Sequence, residues 1–358
     1  MRIPRIVKTL AIVGLASGLA ITLSTPAEAQ KKVRWKMQSA FGSSLPHLGT
    51  SAVRFSKNVE IASGGTLKIK FFEPGALIPP LECFDAVSKG SIESCWTTPG
   101  YHTGKYPALA FLTAVPFGPG FGEYMAWKWF GGGNELRDEI YRKHNLIAID
   151  SFAIGPETSG WFRKEITSPD QLKGMKMRFF GLGAQVLQRL GVSTQLLAAA
   201  DIYPALERGV IDATEFSMPT MDIRLGFYQI AKHNYFPGWH QQTSVSELLM
   251  NRDKWNALSE QHQMIIRLAL GEVTTHTYAE TEAKNPGAML TMKTKYGVTN
   301  HRWPDSTLKL FEKAWLELVE EQSAKDPLFK KVADSYFSFR EKYKLWGDAQ
   351  RLKSTYQE

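Results

Sequence analysis

The chain has 358 residues, 43% of them apolar, and its 43 Lys/Arg against 35 Asp/Glu leave a net charge of +8. That length is more than one hydrophobic core usually serves, and the apolar and aromatic content excludes a disordered chain. The basic excess has no extended Lys/Arg run and is mixed with acids, as in Glu312-Lys313-Ala314-Trp315-Leu316-Glu317, which excludes a nucleic-acid surface and fits a weak field drawing in small anions.

Arg2, Arg5 and Lys8 precede the apolar run Leu10–Ala16, and Ala27-Glu28-Ala29 puts small residues where a signal peptidase reads them. Residues 1–29 therefore read as a secretory signal peptide: the run is short for an anchor and ends in Ser24-Thr25-Pro26. No later segment offers ~18 uninterrupted apolar residues, so a soluble periplasmic protein is expected. Without residues 1–29 the chain keeps 40 basic and 34 acidic residues, a net +6. The remaining length of about 330 residues favours two lobes.

Val33–Met37 alternates apolar and polar residues as a half-buried strand does, and an amphipathic helix from about Leu45 to Ala62 follows, stopped by Gly64-Gly65. Leu67–Phe72 is a second strand, ended by Pro74-Gly75. Cys83 lies in a helix from Leu81 to Ser88 and Cys95 near the end of a strand from Ser91 to Trp96, positions on one rim of a sheet. In an oxidising compartment they are either a disulfide or two buried thiols, and both readings stay open.

A second α/β unit begins near the strand 146–152 and carries a strand at Met175–Phe179, helices at Gly183–Leu190 and Ile202–Glu207, and a strand at Ala213–Phe216. The strand Ser246–Met250 then returns to the first sheet, 253–284 forms one or two long helices, and the rest is mostly helical. The expected architecture is α/β with two hinged lobes and a ligand cleft between them. Lobe I takes 30–152 and 244–285; lobe II takes 153–243 and 286–358 with the C-terminal helices.

Catalytic signatures are missing: there is no His-Glu-x-x-His, no Gly-x-Ser-x-Gly and no P-loop, and Gly181-Leu182-Gly183 lacks the third glycine of a dinucleotide fingerprint. No two histidines stand at metal-ligand spacing; His102, near a strand end, reads as a surface or hydrogen-bonded residue before a ligand contact. These absences point from enzyme to binding module. Arg178 ends a strand in apolar company, where a guanidinium needs a planar anion, either a ligand carboxylate or a structural Asp or Glu. Glu215 also follows a strand and must find a cation, a donor or water.

Four segments carry a resemblance: Gly160–Ile166, Asp170–Arg178, Asp201–Glu215 and Tyr235–Trp239, with Ala114–Gly118 in the first lobe. Together they resemble the periplasmic solute-binding subunits of TRAP transporters, nearest the branch that binds α-keto acids and lactate. The resemblance implies that Arg178 clamps the substrate carboxylate. It also implies that Glu215 and the main-chain carbonyl of Phe216 hold a metal ion, that Glu157 joins that metal site, and that Tyr101 contacts substrate from the first lobe. Trp161 and Trp239 read as lobe packing before direct contacts, with a place in the cleft wall as the alternative.

Phe216 stands where the family has Trp, and Glu157 where the branch has Gln. Two carboxylates favour Ca²⁺ over Na⁺, unless Glu157 instead meets a cationic or hydroxylated ligand group. No organic cofactor is expected. The expected function is capture of a small organic carboxylate, an α-keto or 2-hydroxy acid, and its delivery to TRAP membrane permease subunits. The rivals are a ligand-presenting sensor protein and a periplasmic hydrolase or lyase using Glu157 and Glu215.

Overall fold

Residues 32–350 are described in the computed structural model; the signal-peptide reading lies outside them. In β1 (Val33–Ser39) Trp35 and Met37 are buried while Arg34 and Lys36 face solvent, the period-two pattern of its sequence. Helix α1 (Leu48–Ala62) buries Leu48, Ala52, Phe55 and Val59 along one stripe. It starts three residues later than expected because His47 takes a left-handed φ of 63° that no helix accommodates. The strand β2 (Leu67–Phe72) pairs parallel with β1. Helix α2 (Cys83–Ser88) leads to β3 (Ser94–Thr97). Cys83 and Cys95 are joined by a disulfide across a Cα separation of 5.9 Å, a distance disulfides ordinarily span.

After α3 (Phe121–Phe130) and α4 (Gly133–Arg142) comes β4 (Leu146–Ile154). It is the last strand of the first sheet; it lies within the 30–152 expected for lobe I, and is not the opening strand of a second α/β unit that the sequence also allows near 146–152. An apolar run does not say which sheet it joins; the antiparallel register with a later strand, Leu248 opposite Ile149, settles it here.

The chain then crosses to a second sheet through residues 155–159. This lobe contains β5 (Gly160–Phe162), β6 (Lys176–Arg178), α5 (Gly181–Arg189), β7 (Ser193–Gln195), α6 (Ala199–Glu207), β8 (Ala213–Thr214), α7 (Pro219–Leu225) and β9 (His233–Phe236). Residues 237–243 lead back to β10 (Ser244–Asn251), which completes the first sheet in the order β2-β1-β3-β10-β4.

Next follow α8 (Arg252–Asn256), α9 (Glu260–Tyr296), β11 (Thr299–Arg302), α10 (Asp305–Lys325) and α11 (Pro327–Ala349). The second sheet runs β11-β9-β5-β8-β6-β7. Helix α9 is capped by the Ser259 hydroxyl accepting from His262 N–H and ends at Gly297, φ 63°. It packs on α1 and β4 of the first lobe and on α7 of the second, bracing both.

Helix α10 packs on α5, but α11 lies against α3 and α4 of the first lobe, away from the lobe to which the sequence reading assigns residues 286–358. Aromatic contacts decide this: Tyr336 meets Trp127 at 5.1 Å and Phe111 at 5.5 Å, and Phe329 meets Phe111 at 5.0 Å. The protein is thus a two-lobed α/β binding-protein fold with a helical C-terminus. Among the described residues no helix is long and apolar enough to cross a membrane.

Candidate functional site: a closed cleft with a buried charge cluster

Strand register builds the centre of the site. In the parallel pairing of β6 with β8, Arg178 stands opposite Thr214, so the residue after β8, Glu215, comes beside it. Glu215 N–H donates to the Arg178 carbonyl at 3.0 Å. The Arg178 Nη1 donates to Glu215 Oε2 at 3.0 Å and to its carbonyl at 2.6 Å, and Nε donates to the Leu197 carbonyl at 3.3 Å. The guanidinium lies 5.1 Å from the Phe216 ring centre. Its third nitrogen, Nη2, has no hydrogen bond to another described residue. Arg178 and Glu215 are 1% and 0% exposed, so their charges depend on each other and on whatever enters the cleft.

Glu157 lies on the connector from β4 to β5. Glu157 N–H donates to the Gln241 carbonyl at 3.2 Å, and Thr158 N–H to the Ser217 carbonyl at 2.9 Å. The two interlobe connectors touch: a Cβ on Gly238 would come within 2.2 Å of the Glu157 carbonyl oxygen, so glycine is required there. That contact brings His240 to Glu157. Its Nε2 is 3.3 Å from Glu157 Oε2 and 3.6 Å from Glu215 Oε1, while Ser217 donates to Glu157 Oε1 at 2.8 Å.

Glu215 Oε1 is buried without a hydrogen-bond partner, as is His240 Nδ1. Burial pushes the Glu157 carboxyl up to about 7, with the Glu215 charge adding to it and His240 and Ser217 opposing. Burial would lower the His240 imidazole, but the two carboxylates outweigh it and raise it to about 9. Burial would raise Glu215 too, yet Arg178 and His240 hold it below its ordinary range.

Tyr101 approaches from the first lobe, on a 3₁₀ turn (Pro99–His102) at whose start the Thr98 hydroxyl accepts from Gly100 N–H at 3.4 Å. Its ring meets Phe180 of the second lobe edge-on at 5.9 Å. Gly100 permits this, since a Cβ there would fall 2.0 Å from the Phe180 ring. Burial pushes the Tyr101 hydroxyl up to about 12, so it is a neutral donor.

Between the lobes lies a cavity of about 40 Å³, walled among others by Phe41, Tyr101, Glu157, Arg178, Phe216 and Gln241. It is small for a ligand site, and one cationic group, Arg178, stands on its wall.

Of the residues singled out from the sequence, Tyr101, Glu157, Arg178 and Phe216 meet at this cavity, and Glu215 sits behind its wall, paired to Arg178. His102 faces away, buried against Phe84 at 5.5 Å and 4.0 Å from Glu247. Trp161 and Trp239 are packing residues: Trp161 donates to Asp222 at 2.7 Å, and Trp239 stacks on Phe179 at 6.0 Å. Sequence reasoning missed His240, Ser217 and Gln241. The signal for His240 lay in reach, since it directly follows Tyr235–Trp239, in the loop leading back to the first sheet.

The donor set fits a cation: one ligand atom each from Glu157, Glu215 and His240 lie within 4.8 Å of one another, and one of the oxygens has no partner.

Residues 39–326 match the model of the bacterial extracellular solute-binding protein family 7. The chain is 36% identical over 321 residues, 89% of it and 87% of the relative, to a monocarboxylate 2-oxoacid-binding periplasmic protein of Nostoc sp.. It superposes with a TM-score of 0.87 on a TRAP transporter solute-binding protein of Bordetella bronchiseptica, 34% identical over 89% of this chain and 95% of that one. That protein holds copurified calcium and picolinate in one site of a mixed-occupancy dimer. A Pseudoalteromonas atlantica TRAP periplasmic solute-binding protein, with sodium and pyruvate, gives a TM-score of 0.85 at 30% identity over 89% and 97% of the two chains. Members of the family bind solutes for transporters and are not enzymes, and these relatives are extracytoplasmic. The chain belongs to family 7 of the bacterial extracellular solute-binding proteins, the solute-binding proteins of TRAP transporters.

Proposed function

We propose that this protein captures a small organic carboxylate, a 2-oxo or 2-hydroxy acid, in the cleft between its lobes and delivers it to a TRAP membrane permease. The observation that carries the reading is Arg178: a buried guanidinium on the wall of the small cavity between the lobes, whose Nη2 has no hydrogen bond to another described residue. A ligand carboxylate satisfies that nitrogen and adds a charge-assisted bond in a site shielded from water. Tyr101 reaches the same ligand from the first lobe, so binding stabilises the shut form over the open one. Glu157, Glu215 and the main-chain carbonyl of Phe216 are the oxygen donors for a metal ion beside it. When bound, the ion would supply a second positive centre for a keto or hydroxyl oxygen. The 2-oxoacid, picolinate and pyruvate ligands named for the relatives support this class of substrate.

Micromolar affinity corresponds to about −8 kcal/mol, within reach of one such pair plus metal coordination and burial. The test is thermal unfolding with pyruvate, lactate and a dicarboxylate as control, for the wild type and for Arg178→Ala. A ligand that binds only the folded state raises the melting temperature of the wild type. Arg178→Ala should abolish the rise; a variant that kept its affinity would remove the carboxylate clamp.

A further inference from the structure

One residue of the first lobe stands in a backbone conformation that its own side chain opposes. His47, between β1 and α1, has φ 63° and ψ −59°, and Leu48 N–H donates across it to the Pro46 carbonyl at 2.7 Å. That is a γ-turn of the strained hand, and a non-glycine residue persists there only where its surroundings over-determine it. At His47 they do: the ring is fully buried, with Nδ1 3.0 Å from Glu280 Oε2 on α9 and Nε2 2.8 Å from Thr220 Oγ1 on α7. We propose that His47 is a positioning residue for capture, a latch across the lobes that holds the shut form and slows ligand release. The inference rests on the preceding reading only in taking the shut form as the one that holds the ligand.

The partners make this an interlobe contact. Thr220 lies at the start of α7 in the second lobe, and its N–H donates to Asn285 Oδ1 on α9 at 3.2 Å. Just before it along the chain come Glu215, paired with Arg178, then Phe216 on the cavity wall and Ser217, so one short segment runs from the ligand site to the latch. On the facing side Leu48, next to His47, and Phe41 line the same cavity. The latch thus ties one wall of the cavity to the other.

The hydrogen bonds close with a neutral ring. Burial lowers the His47 imidazole, with Glu280 opposing. An ionised Glu280 can only accept, so Nδ1 carries the proton and Nε2 accepts from the Thr220 hydroxyl, which also lies 3.1 Å from Asn285 Oδ1. One ring nitrogen is therefore spent on α9, which braces both lobes, and the other on the second lobe alone. Strain in the turn offsets most of what two hydrogen bonds contribute, so the latch helps a bound ligand without locking an empty cleft.

The segment is pinned for this role. A Cβ on Gly49 would fall 1.7 Å from the Gly42 carbonyl oxygen, so the loop before α1 folds back on the start of the helix, and Trp96 Nε1 donates to the Leu48 carbonyl at 3.0 Å.

The test uses the mature protein with pyruvate, followed by stopped-flow tryptophan fluorescence, with urea unfolding and small-angle scattering of the unliganded form alongside. Thr220→Val removes the hydroxyl at nearly constant shape; it should speed pyruvate release and weaken affinity about fivefold, the loss of one hydrogen bond. Thr220→Ser keeps the hydroxyl and should keep both near the wild type. His47→Gly holds the turn without strain but removes the ring; it should weaken binding at least as much, and adding Thr220→Val to it should cost little more. A packing role alone would lower the urea midpoint of Thr220→Val and leave release unchanged. That result, or equal release from Thr220→Val and Thr220→Ser, overturns the proposal. If the wild type binds no carboxylate, the receptor reading fails and scattering decides the latch: a larger radius of gyration for Thr220→Val than for Thr220→Ser supports it, and equal radii overturn it.

Discussion

Two clusters of charge lie buried close together along the chain, one in the first lobe and one at the cleft. In the first lobe Lys128 Nζ is 2.8 Å and Arg137 Nη1 3.0 Å from Asp150 Oδ1, and Tyr141 donates to Glu247 at 2.7 Å. At the cleft Arg178 pairs with Glu215 while His240 faces both Glu215 and Glu157. Each cluster holds a buried carboxylate oxygen without a hydrogen-bond partner, two in the first lobe and one at the cleft, so burial and an unpartnered atom do not distinguish them. What differs is access: none of Lys128, Arg137, Asp150 and Glu247 lines the cavity, whereas Glu157 and Arg178 do. The first cluster is a structural network inside a lobe; the second is left open to a visitor. A buried ion pair is weak grounds for assigning a function, and the cavity beside it is what adds one.

The sharpest way to break this distinction is Asp150→Ala. It leaves Lys128 and Arg137 without their shared partner and should cost about 3–5 kcal/mol in chemical unfolding. The folded fraction should keep the pyruvate-induced melting shift, and loss of that shift would mean the two clusters are coupled. A smaller effect is expected across the cleft. Gly100→Ala drives a methyl into the Phe180 ring and should cost roughly 1–3 kcal/mol, taken from ligand affinity if the ring must yield to shut the lobes. Calorimetric titration with pyruvate reads it, and unchanged affinity would remove Tyr101 and Phe180 as the closing contact.

The smallest effect is a slope. Burial pushes the Glu247 carboxyl up to about 7 from 4.5, against the pull of Tyr141, Arg137 and Lys128. Between those values the folded chain holds a proton that the unfolded chain has lost, so stability falls as pH rises through that window. Glu247→Gln cannot ionise, and its melting temperature should decline less from pH 5 to pH 8 than that of the wild type. Parallel slopes would show that Glu247 titrates alike in both states.

Much of the site was legible before any coordinates. Arg178 ends a strand and Glu215 and Phe216 follow one, and a residue at or just past a strand's end in an α/β sheet stands at the rim where ligands bind. Their pairing follows from the parallel register of β6 and β8, which the chain joins through α5, β7 and α6. Glu157 and Tyr101 were reached through family resemblance alone, since each sits on an irregular segment with no periodicity to read. His240 was not reached at all, although the motif that pointed to it stops one residue short.

The amino-acid pattern was enough to expect two α/β lobes, the return of the strand Ser246–Met250 to the first sheet and a helical C-terminus, and to single out Arg178. Those features follow from the period of buried side chains and from glycine and proline at segment ends, which each stretch of chain specifies alone. Folding in three dimensions settled the rest: the sheet that claims β4, the lobe that claims α11, the bonding of Cys83 to Cys95, and the meeting of His240 with two carboxylates. Each of these depends on which distant surface wins a contact, as Tyr336 does against Trp127, or on two backbones approaching at Gly238, and no local period encodes either.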